Sequence, residues 1–334
     1  MTITSLTPTS PATMSPAMTL ANRPQNEDAS AHGTYLLKVE NVTKRYGDHT
    51  VVDNLSFTVP PGRVTGFLGP NGSGKSTTLK IMLDLARADQ GSASIGGHRY
   101  RELSDPARTV GAMIESEAFH PGRSGRNHLR ILADATGISQ ARVDEMLEQV
   151  GLADAADRRA GAYSLGMRQR LGLAAALLGE PPVLILDEPG NGLDPQGIRT
   201  LRDLLRSHAA RGGTVFVSSH LLAEVEHLAD DVIVINQGRL VARGALAELQ
   251  QAASLARSTD PIRLAAVLEL AGATTQAQGA DGLVVRGMSI DEIGDRAFTD
   301  GIALHELSSH AGSLEELFLA WTGEPSTIKE VSQL

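Results

Sequence analysis

The sequence predicts an α/β fold, a parallel sheet covered by helices on both faces. Three observations carry this. Short β-rich runs, "VLILD", "TVFVSSH" and "DVIVIN", are separated by helical segments such as Gln196 to Arg211. A glycine-rich loop, "GPNGSGKST", lies between a buried strand pattern, "RVTGFLG", and a helical pattern from Ser76 to Leu85. Helical periodicity then dominates from Arg126 to Leu178.

Residues 1–34 are rich in Ser, Thr, Pro and Ala. Such a segment buries too little apolar surface to offset its ordering entropy and is expected to be a disordered extension. It lacks the basic start and continuous apolar centre of a secretory signal. From Tyr35, "YLLKVENVTKRYG" and "VVDNLSFTV" alternate apolar and polar residues, as half-buried antiparallel strands do. After Leu249 the pattern shifts. "DGLVVRGM" and "GIALHELSSH" read as strands, and "PIRLAAVLELAG", "SIDEIGDRAF" and "SLEELFLAWTG" as helices. The expected division is residues 1–34, 35–248 and 249–334, the last a small α/β appendage with no catalytic constellation.

Composition removes several classes. The chain has 334 residues, a net charge of −9 and no cysteine. Disulfides, thiol catalysis and cysteine zinc sites are excluded, and a reducing cytoplasm is compatible. A net acidic chain does not suit a nucleic-acid partner, which calls for a basic face. The longest apolar runs, Leu173 to Leu178 and Val183 to Leu186, fall far short of the roughly 18 residues a membrane helix needs.

The loop Gly69-Pro70-Asn71-Gly72-Ser73-Gly74-Lys75-Ser76-Thr77 matches G-x-x-x-x-G-K-[ST] in its required setting, after a strand and opening a helix. Its glycines let the backbone curl so that N–H groups point at phosphate oxygens. The helix N-terminus adds partial positive charge. Lys75 would reach the β- and γ-phosphates, and the Ser76 hydroxyl would ligate Mg²⁺. "VLILDEPGNGLDP" places Asp187 and Glu188 at a strand end, where ligands of parallel sheets bind. Asp187 would enter the Mg²⁺ shell, and Glu188 would orient or deprotonate an attacking water. Asp194, before Pro195, fits a helix cap and also a contact with a partner subunit. Ser164 fits the N-cap of "YSLGMRQRLGLAAALL", with Gly166 allowing close backbone approach. Alone, that segment reads as an anion-binding helix start or as a plain capped helix.

Taken in order, these residues resemble the ATP-binding cassette (ABC) ATPases over residues 35 to 245: Tyr46, the phosphate loop, "SLGMRQ", "LILDEP", "GLDP" and His220 after "VFVSS". The resemblance implies a P-loop NTPase (RecA-like) parallel-sheet core with an antiparallel β subdomain and a helical subdomain, besides the appendage. It implies that Tyr46 stacks on adenine. It implies that Ser164 and Gly166 contact the γ-phosphate of ATP held by the other subunit, and that His220 contacts the γ-phosphate. ATP and Mg²⁺ are the implied ligands. The implied assembly is a homodimer, or a heterodimer with a related ATPase, closing on two ATP molecules. It is expected to sit on the cytoplasmic face of the membrane, driving separate permease subunits.

The sequence departs from the family pattern twice. Leu165 stands for the first glycine of a Ser-Gly-Gly-Gln signature, with Met167 and Arg168 before Gln169. This variant and the appendage resemble exporters of drugs and peptide antibiotics of the bacitracin and lantibiotic type. Glu115, in "VGAMIESEAFHPG", stands where the family has glutamine. The family places this loop against the Mg²⁺ shell and the permease, so the resemblance implies that Glu115 joins that shell, as a carboxylate that accepts but cannot donate hydrogen bonds. The competing expectation is a soluble ATPase of the same fold acting on ribosomes or DNA.

Overall fold

A computed structural model describes residues 35–114, 119–251, 253–310 and 314–322. The expectations for residues 1–34 and for Glu115 fall outside them. Alternating burial makes β1 (Leu37–Tyr46) and β2 (His49–Val59) an antiparallel pair, with Leu37 opposite Val59 and Tyr46 opposite His49. β3 (Val64–Leu68) is buried at all five positions and leads through the glycine-rich loop into α1 (Lys75–Met82). β4 (Gln90–Ile95) returns to pair with β1, completing a three-stranded sheet. Next come α2 (Pro106–Thr109), β5 (Val110–Met113) and the helical segments α3 (Gly125–Thr136), α4 (Ala141–Gln149) and α5 (Leu165–Leu177).

The chain then alternates: β6 (Val183–Asp187), α6 (Pro195–Ala210), β7 (Thr214–Ser219), α7 (Leu222–Leu228) and β8 (Asp231–Asn236). β9 (Arg239–Ala245) and α8 (Leu246–Gln251) follow. The central sheet runs β5-β6-β7-β3-β8-β9, parallel except for β9. Its inner strands β6, β7, β3 and β8 are largely buried, as in parallel sheets covered on both faces, whereas the antiparallel edge strand β9 is partly exposed. Phe57, Phe67 and Phe216, with ring centroids 5.0 to 5.6 Å apart, join the antiparallel sheet to the parallel one. Tilted contacts at this spacing suit aromatic quadrupoles.

Beyond α8 the order is β10 (Ala253–Ser258), α9 (Pro261–Leu270), β11 (Thr274–Gln278), β12 (Gly282–Arg286), α10 (Ile290–Thr299) and β13 (Leu304–His310). This is a split βαββαβ module with sheet order β11-β12-β10-β13, antiparallel throughout. Asp260 caps α9, and Ser289 with Glu292 forms a capping box on α10. Ala256, Leu264, Leu268, Val285, Ile293 and Ala297 form a core of its own. Two of its strands, β10 and β11, go beyond the sequence reading. β11 is mostly exposed and polar, so it carries no apolar alternation to detect.

The last helix, α11 (Leu314–Thr322), leaves the module. Its Leu314 is fully buried in a cluster with Leu68, Val225, Val232, Val234 and Leu246, and Phe318 packs against that cluster. By sequence position this helix belongs with the appendage, but it packs on α7 and β9. Among the described residues no helix is long and apolar enough to cross a membrane.

Candidate functional site

Strand order brings the chemistry together. β6, β7 and β3 are neighbours, and their carboxyl ends carry Asp187 and Glu188, then His220, then the glycine-rich loop. Asp187 lies opposite Ser218 in the register.

The loop is shaped by close approach. A Cβ on Gly69 would lie 2.4 Å from both the Ile235 carbonyl oxygen and Ser73 Oγ. Gly72 and Gly74 have φ of 81° and 103°, conformations L side chains rarely adopt. Gly74 is the N-cap of α1 and supplies no side-chain cap, so the first N–H groups of α1 face the loop without a capping side chain. Ser73 Oγ is buried and has no hydrogen-bond partner. Open donors and a buried orphan hydroxyl in one cradle suit an anionic ligand bearing several oxygens. Pro70 and Thr77 are half-buried, while Asn71, Gly72 and Ser76 are exposed at the rim.

Lys75 is buried. Its Nζ donates to the Gly69 carbonyl at 2.6 Å and the Pro70 carbonyl at 3.3 Å, and lies 3.9 Å from Glu188 Oε1. Burial lowers its pKa from the ordinary lysine value, against the opposing pull of Glu188 and Asp187. A phosphate group entering the loop would exchange these carbonyl contacts for charge-assisted ones.

Glu188 adopts φ of 50°, uncommon for a residue with a side chain. Ser218 holds it there. The Glu188 N–H donates to the Ser218 carbonyl (3.2 Å) and to Ser218 Oγ (3.0 Å), while Ser218 Oγ donates to Asp187. The Glu188 carboxylate points to His220, with Oε2 2.7 Å from Nδ1. Glu224, on α7, has its carboxyl pKa raised by burial and by the charge of Glu188, with His220 acting in the other direction. A Cβ on Gly190 would lie 2.5 Å from Glu224 Oε2. Sequence reasoning missed Ser218 and Glu224. For Ser218 the available signal was its place just before "SH" at the end of an apolar strand. Ser218→Ala is expected to lower kcat about tenfold while leaving the KM for the nucleotide within about twofold, since it loosens the acid pair but not the loop. Steady-state turnover checks this, and an unchanged kcat would make Ser218 a packing residue.

Other candidates lie apart from this cluster. Ser164 caps α5, accepting from the Met167 N–H at 3.3 Å, and is exposed. A Cβ on Gly166 would lie 2.8 Å from the Gly192 carbonyl oxygen, so α5 begins against the loop that follows Glu188. Asp194 caps α6, accepting from the Gly197 N–H at 3.0 Å and from Arg170 at 2.7 Å. Tyr46 ends β1, is 54% exposed, and has the Lys44 ammonium 5.1 Å from its ring centroid. An exposed aromatic ring is suited to stacking on a planar ligand. Among the described residues no cluster of three or more His, Asp or Glu could hold a metal ion. An Mg²⁺ site needs no such cluster, because the ion commonly uses one or two carboxylates, waters and substrate phosphates. The exposed Ser76 hydroxyl and the half-buried Asp187 carboxylate fit that donor set.

Known proteins share the family and the fold. Residues 52–191 match the family described as ABC transporter, and residues 253–315 match a domain of unknown function (DUF8746). The chain is 43% identical to the bacitracin transport ATP-binding protein BcrA of Enterococcus faecalis over 220 residues, covering 65% of this chain and 71% of the relative. It is 39% identical to the lantibiotic transport ATP-binding protein SrtF of Streptococcus pyogenes over 208 residues, covering 62% and 89%. A solved ATP-binding subunit of an ABC transporter matches at 27% identity and a TM-score of 0.59, covering 79% of this chain and 99% of that one.

Proposed function

The chain belongs to the ABC transporter ATP-binding proteins, and from that premise we propose that it is the ATP-hydrolysing subunit of an exporter of a peptide antibiotic or related drug. The observation that carries the enzymatic part is the junction of Lys75, Asp187, Glu188 and His220 at three adjacent strand ends. The loop from Gly69 to Thr77 cradles the triphosphate, with Lys75 moving from loop carbonyls to phosphate oxygens. Tyr46 stacks on the base. Ser76 and Asp187, with Glu115, would hold Mg²⁺, which when bound neutralises charge on the β- and γ-phosphate oxygens. Glu188 accepts the proton of a water that attacks the γ-phosphorus. The bond to the β–γ bridging oxygen breaks, releasing ADP and phosphate. His220 orients the Glu188 carboxylate and contacts the γ-phosphate.

Ser164 and Gly166 complete the site of a second subunit, which makes a head-to-tail dimer with two ATP molecules the working form. The dimer joins two like chains or this chain and a related one. Separate permease subunits hold it on the cytoplasmic face of the membrane. The proposed division is an extension of residues 1–34, a cassette of residues 35–248 and an accessory region of residues 249–334, whose last helix, α11, packs back on the cassette. The net charge of −9 and the transport relatives disfavour a ribosome or DNA partner. The test is gene deletion followed by challenge with a panel of peptide antibiotics. Increased sensitivity to at least one is expected, reversed by the intact gene. Unchanged sensitivity to all of them would remove the export reading.

A further inference from the structure

α7 begins two residues after His220 and is held on three sides. Val225 presses on β3, where a Cβ on Gly66 would lie 2.5 Å from Val225 Cγ1. Glu224 lies over Gly190, in the loop that follows Glu188. Glu226, two positions on and so about 200° round the helix, is directed elsewhere. One oxygen of Glu226, Oε1, accepts from the Gln250 side-chain amide on α8 and from the Leu314 backbone N–H at the start of α11, the latter at 3.3 Å. These donors flank the βαββαβ module in sequence. A single carboxylate oxygen therefore fastens the segments entering and leaving it to the helix behind His220.

We propose that Glu226 is a positioning residue for ATP hydrolysis: bound to both ends of the module, it holds α7, and through α7 His220, in register with Glu188. The inference rests on the reading of Glu188 and His220 as the hydrolytic pair. A helix of seven residues is about 10 Å long and moves as a rod. Its glycine contacts leave it little room to slide on β3, so the remaining freedom is a swing of the end nearest His220. Glu226 resists that swing with two bonds to segments that are themselves anchored by apolar packing, Leu246 on one side and Leu314 on the other. The module then acts as a brace: its folded core fixes the separation of the two donors. The family and module matches assign Glu226 no part in turnover.

The experiment uses the full chain, with turnover measured against ATP concentration and thermal unfolding followed in parallel. Glu226→Ala is expected to lower kcat about fivefold with the KM for ATP within about twofold, because the phosphate loop is untouched. Glu226→Gln keeps an oxygen that can accept both bonds, and is expected to restore kcat to within about twofold of the parent. Gln250→Ala removes one donor and leaves Glu226 and the backbone of α11 in place, so it reads the same effect at about twofold if Glu226→Ala fails to fold. An unchanged or raised kcat in Glu226→Ala overturns the proposal, as does equal loss in Glu226→Gln. If Glu226→Ala is unfolded, an unchanged kcat in Gln250→Ala overturns it. A lower melting temperature with unaltered kcat would likewise leave Glu226 a purely stabilising residue. Failure of the underlying reading shows differently, as parental turnover in Glu188→Gln.

Discussion

Lys75→Ala is expected to lose ATP turnover by about a hundredfold to a thousandfold, the range seen when one preorganised donor to a developing charge is removed. The ammonium is buried at the floor of the loop with two carbonyl oxygens and the Glu188 carboxylate around it. Burial already disfavours its charged form, so the site holds that charge at a cost offset by these partners. Alanine leaves the Gly69 and Pro70 carbonyls without this donor and removes the one positive charge inside the loop. Nucleotide affinity should fall along with kcat. Phosphate release by the purified variant, together with nucleotide titration, measures both. Parental turnover would remove the phosphate-loop assignment.

Glu188→Gln is expected to separate binding from chemistry. The amide is nearly the same shape as the carboxylate, and the contacts that hold the strained backbone come from Ser218 to main-chain atoms. The fold around φ of 50° should survive. What is lost is the proton acceptor, a contribution of about a hundredfold to ten-thousandfold in rate. ATP should still bind, turnover should fall by that order, and the chain should elute as a dimer when ATP is present. A monomeric elution profile with ATP bound would count against the two-subunit site. Lys75→Ala should show no ATP-dependent dimer, so the pair of variants distinguishes a defect in binding from a defect in hydrolysis.

Much of this site was legible because its parts are short and local. A strand, a glycine-rich loop and a helix follow one another from Val64 to Met82, and the spacing of glycines and Lys75 fixes the loop's purpose. Asp187 and Glu188 announce themselves after four apolar residues. What stayed hidden depends on pairing across the sheet. Ser218 matters because β7 lies beside β6 in one register, and neither strand contains that information. Glu224 and Glu226 look like ordinary charges of a short helix until Gly190, Gln250 and Leu314 are placed around them. The edge strand β11 escaped because it is mostly exposed and polar, and the inner strand β10 because "ASLARS" buries small and polar residues that carry little apolar periodicity. For α11, apolar periodicity indicates burial but does not name the surface that does the burying.

That last helix changes how the module should be regarded. Leu314 and Gln250 meet at one oxygen, so the chain leaves the cassette and returns to it at nearly the same point. A tail by position is thus an insertion by geometry, a lobe on a narrow stalk. Cutting the chain before the module would also strip α11 from the apolar cluster around Leu68 and Val225 and expose it to water. Joining α8 to α11 with a short linker would remove the same lobe and leave that cluster closed. Insertions at such closely spaced surface points are well tolerated. A lobe attached in this way can be removed as one unit, at the cost of the brace that its two ends give Glu226.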